Sequence, residues 1–307
     1  MPTRNLTQLQ DQVTRTIEAY GRTIEREILF NYAAALDAIR LDLAKVYEKY
    51  AVNGKLTHAE MSKFNRLGNL EKQITSDIKP VFAKDQRLIN KMKVVTYDAS
   101  FYRNAWAIDQ ASGVATSWGL LNPDAVVAAV QNDFTGLALK KLRQDGLLKT
   151  QRVIRQGIIQ GKSYPQMAKL IKEQLIEPSA SDALRIARTE GQRAMVQGQQ
   201  ATYDRAEEKG VELTEIWDAT LDSRTRASHG KLDGVPSTTD SAGNTIWNTD
   251  VGPVAGPLQS GVASFDINCR CRIRAQIEGY EPKVRRIRDE GIVPYKTYNE
   301  WAKEKVA

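Results

Sequence analysis

The first fifty residues hold the feature that most limits the fold, a stretch from Asn5 to Tyr50 without any proline. Apolar residues recur in it at steps of three or four, which places their side chains on one face of an α-helix. A helix of this length exceeds the usual globular size, so we expect it to pack in an antiparallel hairpin or against a partner. Two series carry the pattern: Leu6, Leu9, Val13, Ile17, Tyr20, Ile24 and Ile28, then Leu36, Ile39, Leu43, Val46 and Tyr50.

Further helical patterns follow, separated by turn residues. Asn53-Gly54 predicts a tight turn, and Thr57 begins a capping box that opens a second helix with Phe64 on its apolar stripe. Pro123 is a favourable first helical residue, and Gly210 is a favourable terminator. The remaining helical patterns run over about 81–108, onward from 123, and over 134–160, 164–175 and 181–209, with a break predicted at 161–163.

The composition changes beyond Val211. Six of the 20 glycines and three of the 10 prolines fall between Gly230 and Gly261, which indicates long loops. Short strands are predicted near 215–219 and 271–277, where polar Arg272 and Arg274 alternate with apolar residues. The pattern predicts a mainly α protein, with a long helical N-terminal body followed by a small loop-rich α+β C-terminal domain.

Four regions follow from these patterns. We predict a long-helix N-terminal region over 1–130 and a helical region over 131–210. A loop-rich α+β domain over 211–279 and a charged C-terminal extension over 280–307 complete the chain.

Composition narrows the class of protein. No apolar run approaches the roughly 18 to 20 residues that a membrane helix needs, so we expect no membrane anchor. The chain has only two cysteines, Cys269 and Cys271, and the one-residue spacing makes a disulfide between them strained. This indicates a reducing compartment, with thiols that are free or bound to metal.

The net charge of +7 is concentrated in one segment. Between Lys140 and Lys172 there are nine basic residues against one acid, Asp145, and such an excess favours a polyanionic neighbour. Lys149, Arg152 and Arg155 lie near one side of the predicted helix and are the candidate contacts to double-stranded DNA. The alternatives are an acidic protein surface, or a solvated face balanced by acids elsewhere in the fold.

A second candidate site combines His229, Cys269 and Cys271. Two thiolates and an imidazole are a reasonable zinc ligand set, with an aspartate such as Asp222, Asp233 or Asp266 as the fourth ligand. The alternative is a buried thiol pair with a hydrogen-bonded histidine.

The same segment also admits a catalytic interpretation, in which Asp222 and His229 act as acid and base and Cys269 as the nucleophile of a cysteine-dependent enzyme or toxin. No orienting third group is identifiable, and Asp-x-Arg-Thr-Arg in a turn is more often a brace in which the aspartate caps backbone N–H groups. We therefore expect no enzymatic activity.

Three motifs occur in one order: Ala187-Arg188-Thr189-Glu190, then Trp217-x4-Asp222-x-Arg-Thr-Arg-x2-His229-x3-Asp-Gly, then Asn268-Cys-Arg-Cys271. Together they resemble the Mu F-like minor head proteins of tailed bacteriophages, and the resemblance extends from about 134 to 277. It implies a portal-associated structural protein of the virion that acts in head morphogenesis. The implied role also includes DNA packaging or ejection. The implied partners are the portal protein and the major capsid protein, with assembly in the host cytoplasm.

Overall fold

The computed structural model describes residues 5–112, 117–131, 133–277, 284–287 and 291–294. As predicted, the protein is mainly helical, with long N-terminal helices and a small C-terminal region of short antiparallel strands. In the described part of the chain, no helix combines the length and apolarity that a membrane crossing requires.

The helices occupy most of the first 208 residues. A 3-10 turn, Lys63–Asn65, separates α2 from α3, and a π-helical turn, Lys172–Ile176, separates α6 from α7. In chain order the helices are α1 (Leu6–Tyr50), α2 (His58–Ser62), α3 (Arg66–Ser112), α4 (Pro123–Val130), α5 (Asp133–Ile159), α6 (Tyr164–Ile171), α7 (Glu177–Glu208), α8 (Ala227–Lys231) and α9 (Ala263–Asp266).

The strands form three small antiparallel groups. β1 pairs with β5, β3 pairs with both β2 and β4, and β6 pairs with β7. The strands are β1 (Leu213–Asp218), β2 (Thr238–Thr239), β3 (Thr245–Thr249), β4 (Gly252–Val254), β5 (Arg272–Ile277), β6 (Val284–Ile287) and β7 (Gly291–Pro294).

The long first helix is confirmed, and most of its predicted apolar stripe is buried, whereas Tyr20, Val46 and Tyr50 are half-buried. The turn after it is also confirmed. Asn53 and Gly54 have φ values of 52° and 74°, and Val52 and Lys55 exchange backbone hydrogen bonds of 2.9 and 3.1 Å. Left-handed conformations at both central residues are what a two-residue hairpin of this type requires.

The second predicted helix is interrupted. Thr57 caps α2 as expected, with its side chain accepting from the Glu60 N–H at 3.2 Å. Phe64, however, adopts φ 51° and is 86% exposed, so its predicted place on an apolar stripe is wrong. The left-handed turn at Phe64 and Asn65 redirects the chain, and α3 then continues through Pro80 to Ser112.

The chain forms two compact units, each assembled from separate segments. Unit 1 takes the described residues within 1–21, 92–131 and 188–307, and unit 2 takes those within 22–91 and 132–187. The four-region division predicted from the sequence stays a prediction. Its charged extension, 280–307, lies outside the described residues except for β6 and β7.

Unit 1 has a core that draws on distant parts of the sequence. Leu6 and Leu9 from α1 join Ile108 from α3, Tyr203 from α7 and Trp217 from β1 in one buried cluster. All five side chains are at most 3% exposed, so the loop-rich region does not bury its apolar residues by itself.

In unit 2, α1 packs against α3 and α6. Tyr32 meets Phe82 edge-on with ring centroids 6.4 Å apart, and Tyr47 meets Tyr164 at 5.8 Å. Beside Tyr32, Asp85 is fully buried, and burial raises its pKa to about 7.

Candidate functional site

Strands β1 and β5 bring the two halves of the site together. Their register places Trp217 opposite Ile273 and Asp218 opposite Arg272. Cys271 directly precedes β5 and therefore lies near the end of β1, while α8 follows β1 and carries His229.

The turn before Cys269 is fixed by α7. Asn268 has φ 59°, a left-handed conformation that asparagine adopts more readily than most residues. Its N–H donates to Thr189 Oγ1 at 3.1 Å, and the Cys269 N–H donates to the Asp266 carbonyl at 3.0 Å. Because Thr189 belongs to the Ala187–Glu190 tetrad, two of the three sequence motifs are in direct contact.

His229, Cys269 and Cys271 form one buried cluster. Nδ1 of His229 lies 3.4 Å from each sulfur atom, and the three potential ligand atoms all lie within 4.8 Å of one another. The Cys271 N–H also donates to Cys269 Sγ at 3.4 Å. The residues are only 2–3% exposed, so the thiols are shielded from solvent.

Aromatic rings surround the imidazole. The Phe265 ring centroid lies 4.2 Å from that of His229, and the Trp217 ring approaches edge-on at 6.2 Å. Trp247 packs against Trp217 with centroids 5.9 Å apart. These contacts hold the imidazole in an apolar setting and aim Nδ1 at the sulfurs.

The two thiols differ in their tendency to ionise. A hydrogen bond from Cys271, supported by His229, lowers the pKa of Cys269 to about 5. The hydrogen bond to Cys269, together with burial, raises the pKa of Cys271. The pair therefore favours a thiolate at Cys269 that accepts a hydrogen bond from the Cys271 thiol.

The three aspartates predicted as fourth ligands are all engaged elsewhere. Asp222 accepts from the Arg270 guanidinium at 2.5 and 2.6 Å, and this hydrogen bonding lowers its pKa. Asp233 accepts from the Ala219 N–H at 3.0 Å. Asp266 accepts from Ser260 Oγ at 2.8 Å and from the Gly261 N–H at 3.1 Å. The residues that the structure describes thus supply three ligand atoms, one short of a closed tetrahedral set.

The Asp-x-Arg-Thr-Arg segment is a brace, as its sequence predicts. Asp222 accepts from the Arg224 N–H at 2.9 Å, and Arg226 donates to the Ile267 carbonyl at 2.6 Å. With the Arg270 pair, these bonds tie the loop after β1 to the loop before β5.

A buried ion network on β1 and β5 was not predicted from the sequence. Arg272 pairs with Asp218 and Asp11 at 2.5 Å each, and Arg274 pairs with Asp218 at 3.0 Å. Although burial opposes its charge, these carboxylates raise the pKa of Arg272. The alternation in β5 indicated a strand without showing which face is buried, and the Arg274 side chain is 3% exposed. Asp11 lies about 260 residues earlier, so no local pattern could have indicated the pairing.

The candidate DNA contacts lie on α5 in unit 2, whereas the thiol cluster belongs to unit 1. Arg155 forms two hydrogen bonds to Glu71, of 2.6 and 3.1 Å, while Lys149 is half-buried and Arg152 exposed. Phosphate binding by these three residues stays a prediction.

Comparison with known proteins identifies relatives. Residues 149–274 match the family described as Phage Mu protein F like protein. Minor head protein GP7 of Bacillus phage SPP1 is 32% identical over 98% of this chain and 98% of its own length.

A second relative, the NAD(+)–arginine ADP-ribosyltransferase EFV of Enterococcus faecalis (strain ATCC 700802 / V583), is 28% identical over 87% of this chain. The match covers only 55% of that relative's length. No solved structure matches the chain significantly. The family match and the nearly full-length similarity to a minor head protein show that this chain belongs to the phage Mu protein F-like family of minor head proteins.

Proposed function

We propose that the protein is a structural subunit at the portal of the phage head, bound to the portal protein and adjoining the major capsid protein. The observation that carries the proposal is the 32% identity to a minor head protein along 98% of both chains. In this role the protein assembles in the host cytoplasm and acts in head morphogenesis, DNA packaging and ejection.

The geometry of the thiol cluster supports a structural role over catalysis. A nucleophilic cysteine must be reached by its substrate, and reactive thiols are usually partly exposed. Cys269 and His229 are 3% and 2% exposed, and Asp222 is paired with Arg270 rather than with the imidazole. Their arrangement therefore favours a fixed loop over a cysteine-dependent enzyme or toxin.

Portal association is tested with purified full-length protein and two immobilised probes, the portal oligomer and the major capsid protein. We expect retention on the portal oligomer at physiological salt. Retention on the major capsid protein but not on the portal oligomer would contradict the proposed binding to the portal. Deletion of residues 1–50 is a poor variant for this assay, since Leu6 and Leu9 belong to the core of unit 1.

We also propose that His229, Cys269 and Cys271 hold a structural zinc ion. For ligand distances of about 2.3 Å to sulfur and 2.0–2.1 Å to nitrogen, tetrahedral angles place N and S about 3.5 Å apart. The observed Nδ1–Sγ distances are 3.4 Å. His229 Nε2 is buried and has no hydrogen-bond partner among the described residues, although a ligating histidine usually donates from its other nitrogen. The proposal therefore rests on the three ligand atoms and their spacing.

The two histidines of the chain offer a matched test of zinc binding. Elemental analysis of purified protein should find close to one zinc per chain, lost in His229→Gln and kept in His58→Gln. Zinc contributes directly to folding, so a chelator should lower the unfolding temperature of the unmodified protein. If the purified protein contains no zinc and its unfolding temperature does not change with chelator, the cluster is a hydrogen-bonded thiol pair and not a zinc site.

Contact with packaged duplex DNA is the alternative role for Lys149, Arg152 and Arg155. Glu71 already forms an ion pair with Arg155. The structure therefore supports phosphate binding by all three residues less well than the sequence pattern did. If these residues bind phosphates, the affinity of the protein for duplex DNA should fall steeply as the salt concentration rises.

A further inference from the structure

Trp217, the first residue of the second sequence motif, carries a buried polar atom beside the thiol cluster. The residue lies on β1 and its side chain is 0% exposed. Its indole N–H can only donate a hydrogen bond, and among the residues that the structure describes it has no partner of ordinary geometry. A buried donor without an acceptor is unfavourable. The group that this N–H faces therefore matters for the stability of the site.

The register of the sheet places the Trp217 indole beside Cys271. Trp217 is opposite Ile273, and Cys271 precedes Ile273 by two residues. Residues two apart on a strand point to the same face, so Trp217 and Cys271 are diagonal neighbours on one face of the β1–β5 pair. Aromatic side chains reach across such a diagonal. The Cys271 side chain is the polar group with which the Trp217 side chain interacts.

The orientation of the indole is fixed by its aromatic neighbours. Trp217 meets the rings of Trp247 and Phe265 edge-on, with centroids 5.9 and 6.4 Å apart. In a closely packed core, such contacts leave little room for the indole to turn its N–H away from the sulfur.

Each sulfur atom of the cluster thus faces one N–H group. The Cys271 backbone N–H donates to Cys269 Sγ at 3.4 Å, and the Trp217 indole faces the Cys271 side chain. A thiolate is a better acceptor than a thiol, because hydrogen bonds to a charged atom are stronger. Zinc binds cysteine as the thiolate. The two donors therefore suit a pair of zinc-bound thiolates.

We propose that Trp217 is a positioning residue of the zinc site and that its indole N–H donates to the zinc-bound thiolate of Cys271. The proposal rests on the proposed zinc site and adds one residue to its three ligands. Hydrogen bonds of this kind orient metal ligands, and the loss of one typically weakens metal binding about 10- to 100-fold. Trp217 then serves the metal, whereas Asp222 of the same motif braces the loop.

Trp247 offers a matched control for the loss of the indole. It is 1% exposed, and its N–H donates to the Val235 carbonyl at 3.0 Å rather than to a sulfur. Full-length Trp217→Phe and Trp247→Phe therefore lose similar packing and one donor each. Competition with a coloured chelator measures the zinc affinity. We expect it to be about tenfold weaker in Trp217→Phe and unchanged in Trp247→Phe.

Cobalt(II) in place of zinc gives a readout that packing alone does not move. A hydrogen bond lowers the energy of the sulfur lone pair, so its loss should shift the thiolate-to-cobalt charge-transfer band to longer wavelength in Trp217→Phe. The band should not shift in Trp247→Phe. If Trp217→Phe does not fold, benzothienylalanine at position 217 should give the same shift, because it keeps the shape of the bicyclic ring and replaces the N–H by sulfur.

Two results would overturn the proposal while leaving the zinc site intact. One is equal zinc affinity in the two phenylalanine variants, and the other is a charge-transfer band that does not move when the N–H at position 217 is removed. Failure of the unmodified protein to bind zinc or cobalt would instead refute the zinc site, and the proposal with it.

Discussion

Units 1 and 2 differ in how deeply they bury the ion pairs that join separate elements. Unit 1 encloses Arg272, Arg274, Asp11 and Asp218 in a network whose side chains are 3–14% exposed. In unit 2 the main interhelical ion pair leaves the Arg155 side chain 58% exposed, beside three exposed aliphatic residues of α5. Unit 1 thus encloses an ion network that joins distant parts of the chain, whereas the interhelical ion pair of unit 2 lies near the surface.

The largest expected effect comes from opening the network of unit 1. Arg272→Ala leaves Asp218 and Asp11 buried without their main partner, and breaking such a pair from one side costs about 3–5 kcal/mol of unfolding free energy. Urea unfolding followed by circular dichroism measures it, since helices of both units contribute to that signal. Tryptophan fluorescence reports unit 1 alone, because no tryptophan falls within 22–91 or 132–187. Lys169→Ala, which removes an exposed pair with Glu173 in unit 2, is the control and should change stability by about 0.5 kcal/mol or less. Equal losses in the two variants would contradict the contrast between the units.

The second prediction is a dependence of unit 1 on pH. Burial, with the nearby charges of Asp204 and Glu207, raises the pKa of Glu215 from 4.5 to about 8. Because the folded state prefers the protonated carboxyl, the stability that Glu215 contributes is fully present below pH 4.5 and is lost as the pH rises to about 8. The free energy of unfolding should fall by roughly 2 kcal/mol between pH 5 and 7, at most about 1.4 kcal/mol per pH unit.

Glu215→Gln should flatten this dependence, whereas Glu212→Gln, at an exposed position, should not. Tryptophan fluorescence at several pH values follows the effect in unit 1. A slope that persists in Glu215→Gln would assign it to other groups.

The smallest expected effect concerns close helix packing. A Cβ added at Gly198 in unit 1 would lie 2.5 Å from the backbone oxygen of Tyr97. One added at Gly157 in unit 2 would meet only side-chain ends, those of the flexible Met167 at 2.5 Å and of Leu170 at 3.3 Å. Gly198→Ala should therefore cost about 1–2 kcal/mol. Gly157→Ala should be nearly neutral, because alanine's higher helix propensity offsets the repacking. Thermal unfolding by circular dichroism compares them, and equal shifts would show that α7 packs no more tightly than α5.

Sequence patterns predicted the parts of the fold that depend on local chemistry. The periodicity of α1, the Asn53-Gly54 turn and the helix start at Pro123 all rest on neighbouring residues, and all are present. The break at Phe64 was not predicted, because an aromatic residue at φ 51° contradicts its own conformational preference. Pro80 inside α3 was also not anticipated, since proline usually ends a helix.

In the candidate site, too, the residue types could be predicted from the sequence, but the contacts between distant residues could not. The sparse use of histidine and cysteine led to His229, Cys269 and Cys271, which the fold brings within 4.8 Å of one another. Zinc binding by the cluster stays a prediction. The burial of Arg274 could not be inferred, because Asp11, one of its two carboxylate partners beside Asp218, lies on a helix at the other end of the chain.

The origin of unit 1 from three chain segments has a consequence for protein synthesis. Leu6 and Leu9 emerge from the ribosome first, yet Trp217 and Ile273, which share their buried cluster, emerge after more than two hundred further residues. Unit 2 draws only on residues 22–91 and 132–187, so its whole sequence is available much earlier. We expect unit 2 to fold while the chain is still growing, and unit 1 to form last because it depends on contacts of long sequence separation. A ribosome stalled before β5 should therefore carry a protease-resistant unit 2 and an accessible first turn of α1.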